Sequence, residues 1–184
     1  MHKMLRSIAV AFAMLSTSAQ SAQYADQQQR AIKSLADSEV ADLLAGQGMG
    51  LAKAAELNGF PGPAHVLEHA DALVLSAQQL LGTKSLLDRH KASARQIGAA
   101  LVAAEEALDR AFSTRRVDNA SLSRLTGDIG SLQARLREEH LRTHLEQTAL
   151  LSSEQIQQYA TLRGYITSGV PFNFKPSSHD GKHH

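Results

Sequence analysis

The chain has 184 residues, with 19 Lys and Arg against 18 Asp and Glu, nine His, no Cys and no Trp. That length supports one domain with a modest core. A formal charge of +1 carries no nucleic-acid signature, and the lack of Cys excludes a disulfide framework, a thiolate metal site and a thiol nucleophile.

Lys3 and Arg6 precede an apolar run over residues 8–15, and small residues follow at 16–19. This order predicts a cleavable signal peptide over residues 1–19 and export to the periplasm. The apolar run is too short to span a bilayer. Cleavage after Ala19 removes Lys3 and Arg6 and no acidic residue, so 17 basic side chains remain against 18 acidic ones. Residues 20–63 read as short helices and a Gly/Pro-rich arm. A weakly helical stretch runs to Gln29 and an amphipathic helix covers 32–44, with Asp37 or Ser38 able to cap a restart. Gly46, Gly48 and Gly50 interrupt it. Helical spacing resumes over 51–57 and stops at Asn58-Gly59. Phe60-Pro61-Gly62-Pro63 is an extended turn. The Gly-x-Gly-x-Gly run has no preceding strand and no following Lys-Ser/Thr, so it is not a phosphate loop.

Residues 64–73 form a short helix carrying His65 and His69. Leu75-Ser76-Ala77-Gln78-Gln79 follows, and the pattern recurs as Leu151-Ser152-Ser153-Glu154-Gln155. In each copy the Ser caps a helix and the Gln three residues on bonds back to it, a capping box. Leu75 with Leu80, and Leu151 with Ile156, have the spacing of a hydrophobic staple. From Ala77 to about Phe112, Leu80, Leu87, Ala94, Ile97, Leu101, Ala104, Leu108 and Phe112 keep a stripe of threes and fours. That helix is about 54 Å long. Residues 113–119 form a turn, with Asp118 or Asn119 as the next cap. Leu122, Leu125, Ile129, Leu132 and Leu136 continue the stripe to about Leu150, and a last helix covers 153–164. The expected fold is all-α: a long antiparallel helical hairpin over residues 64–165 with short fold-back helices at its open end. One hairpin cannot bury both stripes well: the short helices must fold back on it or a second chain must pack against it, and a homodimer is expected. Residues 166–184, with Pro171 and Pro176, read as a flexible His-containing tail.

Three His pairs are spaced by four: 65/69, 140/144 and 179/183. On a helix such pairs share a face and can ligate one ion if other donors complete the shell. A hairpin turning near residue 116 sets position 90 level with 141, which brings His90 beside His140 and His144. His90 lies in the apolar phase of its helix and should face the seam. His65 and His69 reach the same open end if their helix folds back, with Asp88, Glu68 or Glu139 as oxygen donors. The candidate ligands are therefore His65, His69, His90, His140, His144 and Asp88. A set of imidazoles with a carboxylate suits a divalent transition metal, zinc or copper(II) first and nickel or cobalt next, and not calcium. A single His pair on an exposed helix face is usually only solvated, so the argument rests on convergence. The tail pair with His184 offers loose chelation.

The doubled Leu-Ser-x-x-Gln resembles the Leu-Thr-x-x-Gln motif of the Spy/CpxP-like periplasmic family. His65-x3-His69 ahead of the first motif resembles the H-x3-H of CnrX-type heavy-metal-resistance sensors. His140-x3-His144 resembles their H-x3-M, with His144 where the family has Met. The resemblance covers about residues 64–165. It implies a periplasmic, hooked helical hairpin that dimerises, akin to stress chaperones, zinc-associated proteins and metal sensors that signal to an inner-membrane partner. The sensors' metal-binding Glu would fall near Leu87 or Asp88. Leu87 cannot ligate, so Asp88 or His90 takes that place.

Two functions follow as expectations. The first is sensing or buffering of a divalent transition metal in heavy-metal resistance. The second is an ATP-independent chaperone holding unfolded client proteins on exposed apolar patches and on Arg95, Arg110, Arg135, Arg137 and Arg142. Nothing sets a nucleophile beside a base and an oxyanion hole, so no enzymatic activity is expected.

Overall fold

The computed structural model describes residues 24, 25 and 27–166. The signal-peptide and tail expectations lie outside the described residues. Every regular element among the described residues is helical: α1 Asp37–Ala45, α2 Lys53–Glu56, α3 Pro63–Glu68, α4 Ala77–Ser113, α5 Asn119–Ala149 and α6 Ser153–Leu162, after a short 3-10 turn at Gln27–Gln29. None of them is long and apolar enough to cross a membrane.

The two long helices pack against each other. Thr83 meets Gln147, and His90 meets Glu139 and Thr143, so numbers on α5 fall as those on α4 rise. Leu43, Ala94, Ile97, Leu101, Ile129 and Leu136 form the main core. α1 supplies Leu43 by crossing α4 at Gly98, where a Cβ would collide with the Leu43 carbonyl. α1 then stops at Gly46, which takes a left-handed φ of 63° and sits against Lys91 and Arg95. Upstream, Lys33 pairs with Asp109, and Ser34 donates to the buried carboxylate of Glu105.

The caps form as their residues dictate. Gln79 N–H donates to Ser76 Oγ (3.2 Å) and Ser76 N–H to Gln79 Oε1 (3.0 Å). Ser152 and Gln155 repeat this at 3.2 and 2.9 Å. Asp118 caps α5 by accepting from Ser121 N–H at 2.7 Å. Leu75 and Leu151, the residues before the two Ser caps, pack on a second cluster of Val66, Leu73 and Tyr159.

Three expectations need correction. The helix expected over 32–44 begins only at Asp37, after a run of turns, because Lys33 and Ser34 are drawn to α4. The one expected over 51–57 shrinks to Lys53–Glu56. The one expected over 64–73 starts at Pro63, whose missing N–H costs nothing at a first helical position, and ends at Glu68 with His69 as its C-cap. The chain then turns through Val74, an exposed β-branched residue at a φ of 50°.

Candidate functional site

A cavity of about 420 Å³ lies between the arm and the α4–α5 pair. The loop 46–50, α2 and the start of α3 form one side. Leu87, His90, Lys91, His140, Thr143 and His144 form the other, with Tyr165 at the edge. Four of the six anticipated ligands therefore share one lining: His65 from α3, His90 from α4, and His140 and His144 from α5.

The other two do not reach it. Asp88 is exposed and absent from the lining. It precedes His90 by two residues, a rotation of about 200° around the helix, so both cannot face the cavity. His69 is half-buried but also outside the lining, although as the C-cap of α3 its N–H still bonds the His65 carbonyl at 3.2 Å.

His90 and His140 are both buried and meet edge to face, their ring centroids 4.6 Å apart. The Thr143 hydroxyl donates to the Glu139 carbonyl at 2.8 Å, which leaves its oxygen to accept from His90 Nδ1 at 3.0 Å. Glu139 Oε1 lies 3.3 Å from the same nitrogen. His144 Nδ1 lies 2.7 Å from the Phe60 carbonyl oxygen. A carbonyl only accepts, so that nitrogen carries the proton. The bonds at Nδ1 thus place the lone pair of both His90 and His144 on Nε2. Metal-binding histidines are held in this way by an acceptor on their other nitrogen. The arm can approach His144 because residue 62 is Gly, where a Cβ would come within 2.8 Å of the ring.

His140 differs from both. Its Nε2 is buried and has no hydrogen-bond partner. Burial, with the neighbouring His90 ring second, holds its pKa down at about 4. Burial also lowers His90, against the opposing pull of Glu139. Both rings are therefore neutral near pH 7 and able to donate lone pairs.

The sequence reading missed Glu56. From α2 it accepts on Oε1 from Tyr159 (2.5 Å) and Tyr165 (3.0 Å). Arg163 Nε and His65 Nδ1 lie 3.4 and 3.7 Å from that oxygen. Oε2 is buried without a hydrogen bond, 3.6 Å from His144 Nδ1. Burial and the bond to Glu56 push the Tyr159 phenol far above its ordinary pKa. The one local signal for Glu56 was its place just before the Asn58-Gly59 stop, which says nothing about which distant side chains it meets.

Among the described residues, no three His, Asp or Glu side chains are grouped closely enough to hold an ion in common. The donors line one space without closing into a shell. The chain matches no protein-family model, and neither a curated protein nor a solved structure is similar to it.

Proposed function

We propose that this is an exported protein that binds a divalent transition metal in the cavity, as a sensor or buffer of the heavy-metal-resistance type. The observation that carries the reading is His140. A buried imidazole nitrogen without a partner is costly to leave bare, and the residue that carries it lines a space shared with three more imidazoles. Two of those three have their Nδ1 protons already committed to acceptors. Neutral imidazoles suit zinc or copper(II) first, and nickel or cobalt next.

The donors are not grouped around one point, so binding has to draw the arm and α3 toward α4 and α5. Metal affinity and arm position are then linked, and each biases the other. That linkage is what a sensor with a signalling partner requires. In this reading the α4–α5 pair is an antiparallel hairpin of the Spy/CpxP-like kind. A second copy would cover Leu81 and Leu145, which are 69% and 55% exposed.

Calorimetry on metal-stripped protein, purified without an affinity tag, tests this. Zinc or copper should bind more tightly than roughly 100 μM, and His140→Ala with His144→Ala should abolish that binding. Weaker binding, or binding untouched by the double variant, overturns the reading.

The exposed apolar side chains also favour a second reading. Val74 at 79%, with Leu81 and Leu145, offers a client-holding surface. Suppression of aggregation of a denatured client, unchanged by chelator, would favour a chaperone over a metal protein.

A further inference from the structure

We propose that Glu56 is the carboxylate that joins the imidazoles around the ion, and that its phenol bonds carry metal binding to α6. This rests on the metal-binding reading and puts Glu56 in the carboxylate role expected of Asp88.

The two oxygens of Glu56 are used unequally. Oε1 is taken by Tyr159 and Tyr165, both on the α6 side of the molecule. Oε2 is buried and has no hydrogen bond. A carboxylate oxygen withdrawn from water without a donor is unfavourable, and a bound cation removes that cost. Glu56 lines the same cavity as His65, His90, His140 and His144. His65 Nδ1 lies 3.7 Å from Oε1, and the His144 ring lies on the other side with its protonated Nδ1 3.6 Å from Oε2. Two ligands of one tetrahedral zinc ion stand about 3.4 Å apart when each bond is about 2.0–2.2 Å. Small movements therefore bring Glu56 and the His65 imidazole into one shell, while His144 has to turn its Nε2 toward the ion. Asp88, by contrast, faces solvent outside the cavity.

The link to α6 is direct. Tyr159 is fully buried on α6, Tyr165 follows that helix, and Arg163 is within ion-pair reach of the same carboxylate. Charge drawn from Glu56 by a cation weakens its bonds to both phenols. Two of the chain's three tyrosines contact Glu56 and there is no Trp, so tyrosine emission reports on this carboxylate with little background.

The test is a zinc titration of the full chain, followed by calorimetry and by tyrosine emission. Wild type should show an emission change that saturates with binding. Glu56→Gln should weaken zinc affinity at least about tenfold and lose the emission change, while Asp88→Asn should stay within about twofold of wild type. If Glu56→Gln fails to fold, wild type and Tyr165→Phe still decide: the emission change must be present in the first and diminished in the second. Zinc bound as tightly by Glu56→Gln as by wild type overturns the proposal and leaves the metal reading standing. So does zinc binding without any change in emission. Absence of zinc binding in wild type overturns both.

Discussion

The side-chain amides of Gln79 and Gln155 pair with each other. Gln79 Nε2 donates to Gln155 Oε1 at 2.8 Å, and Gln155 Nε2 donates to Gln79 Oε1 at 3.1 Å. Each Gln also closes its own capping box and donates to a backbone carbonyl of the other region, Leu150 for Gln79 and Leu73 for Gln155. The repeated motif thus meets itself in space, and the starts of α4 and α6 are tied at one end of the helix pair. Val66 and Leu73, just upstream of the first cap, are packed there with Tyr159 of α6. That packing holds α3, and with it His65, over the cavity.

Because each amide serves a cap and its counterpart at once, their effects are coupled. Gln79→Ala and Gln155→Ala should each cost about 1–2 kcal/mol. A double-mutant cycle by denaturant unfolding should give a coupling of at least about 0.5 kcal/mol. Strict additivity would show that the amide pair contributes nothing beyond two independent caps.

Gly98 and Gly127 separate close packing from helix propensity. A Cβ at Gly98 meets the backbone of α1, while one at Gly127 meets nothing within 4 Å. Gly98→Ala should destabilise by about 2 kcal/mol or more, since α1 must move away from α4. Gly127→Ala should stabilise by about 0.5–1 kcal/mol. Thermal melts of the two variants should shift in opposite directions.

Stability should fall with acid through His140. Its folded pKa is about 4, against an ordinary 6.5, so the unfolded chain takes up the proton first. The contribution is complete above about pH 6.5 and is lost as the pH drops to about 4. His90 shifts in the same direction. With screening by water in the cavity, the loss from His140 should be about 2 kcal/mol. Denaturant midpoints of wild type and His140→Gln, compared across that window, isolate it: the wild type should lose more stability than the variant.

Thr143→Val keeps the shape of the side chain but removes the nearer of the two acceptors at His90 Nδ1, leaving Glu139. Zinc affinity should fall about tenfold, while the far-UV signature of the helices stays unchanged. Unaltered affinity would show that Thr143 does not orient His90 for the metal; unaltered affinity in His90→Gln would remove His90 from the site.

The long helices were legible because their stripes, their uninterrupted length and their Ser and Asp caps are local signals. The phase of His90 was legible for the same reason. The upstream stripe was less so. The sequence suggested Leu80 and Leu87, whereas Thr83, Leu86 and His90 are the buried positions. Near the cavity the helix pair is joined through polar groups, Thr83 with Gln147 and His90 with Thr143, and hydropathy does not register these. Phe112, at the far end of the stripe, is exposed. Asp88 is close to His90 in number, but two residues of helix turn it away from the cavity. Glu56 could not be read at all, because Tyr159 and Tyr165 lie more than a hundred residues away and meet it only after the arm folds back.

The most direct test of the metal centre observes the imidazoles themselves. In nitrogen-labelled protein, the ring signals of His90, His140 and His144 can be assigned with single His→Gln variants. They should then be followed through addition of one equivalent of zinc. The account predicts that the Nε2 resonances of these three residues move together to metal-bound positions, while Nδ1 of His90 and His144 stays protonated. Unmoved cavity histidines, with zinc shifting only His179, His183 and His184 in the tail, would contradict it.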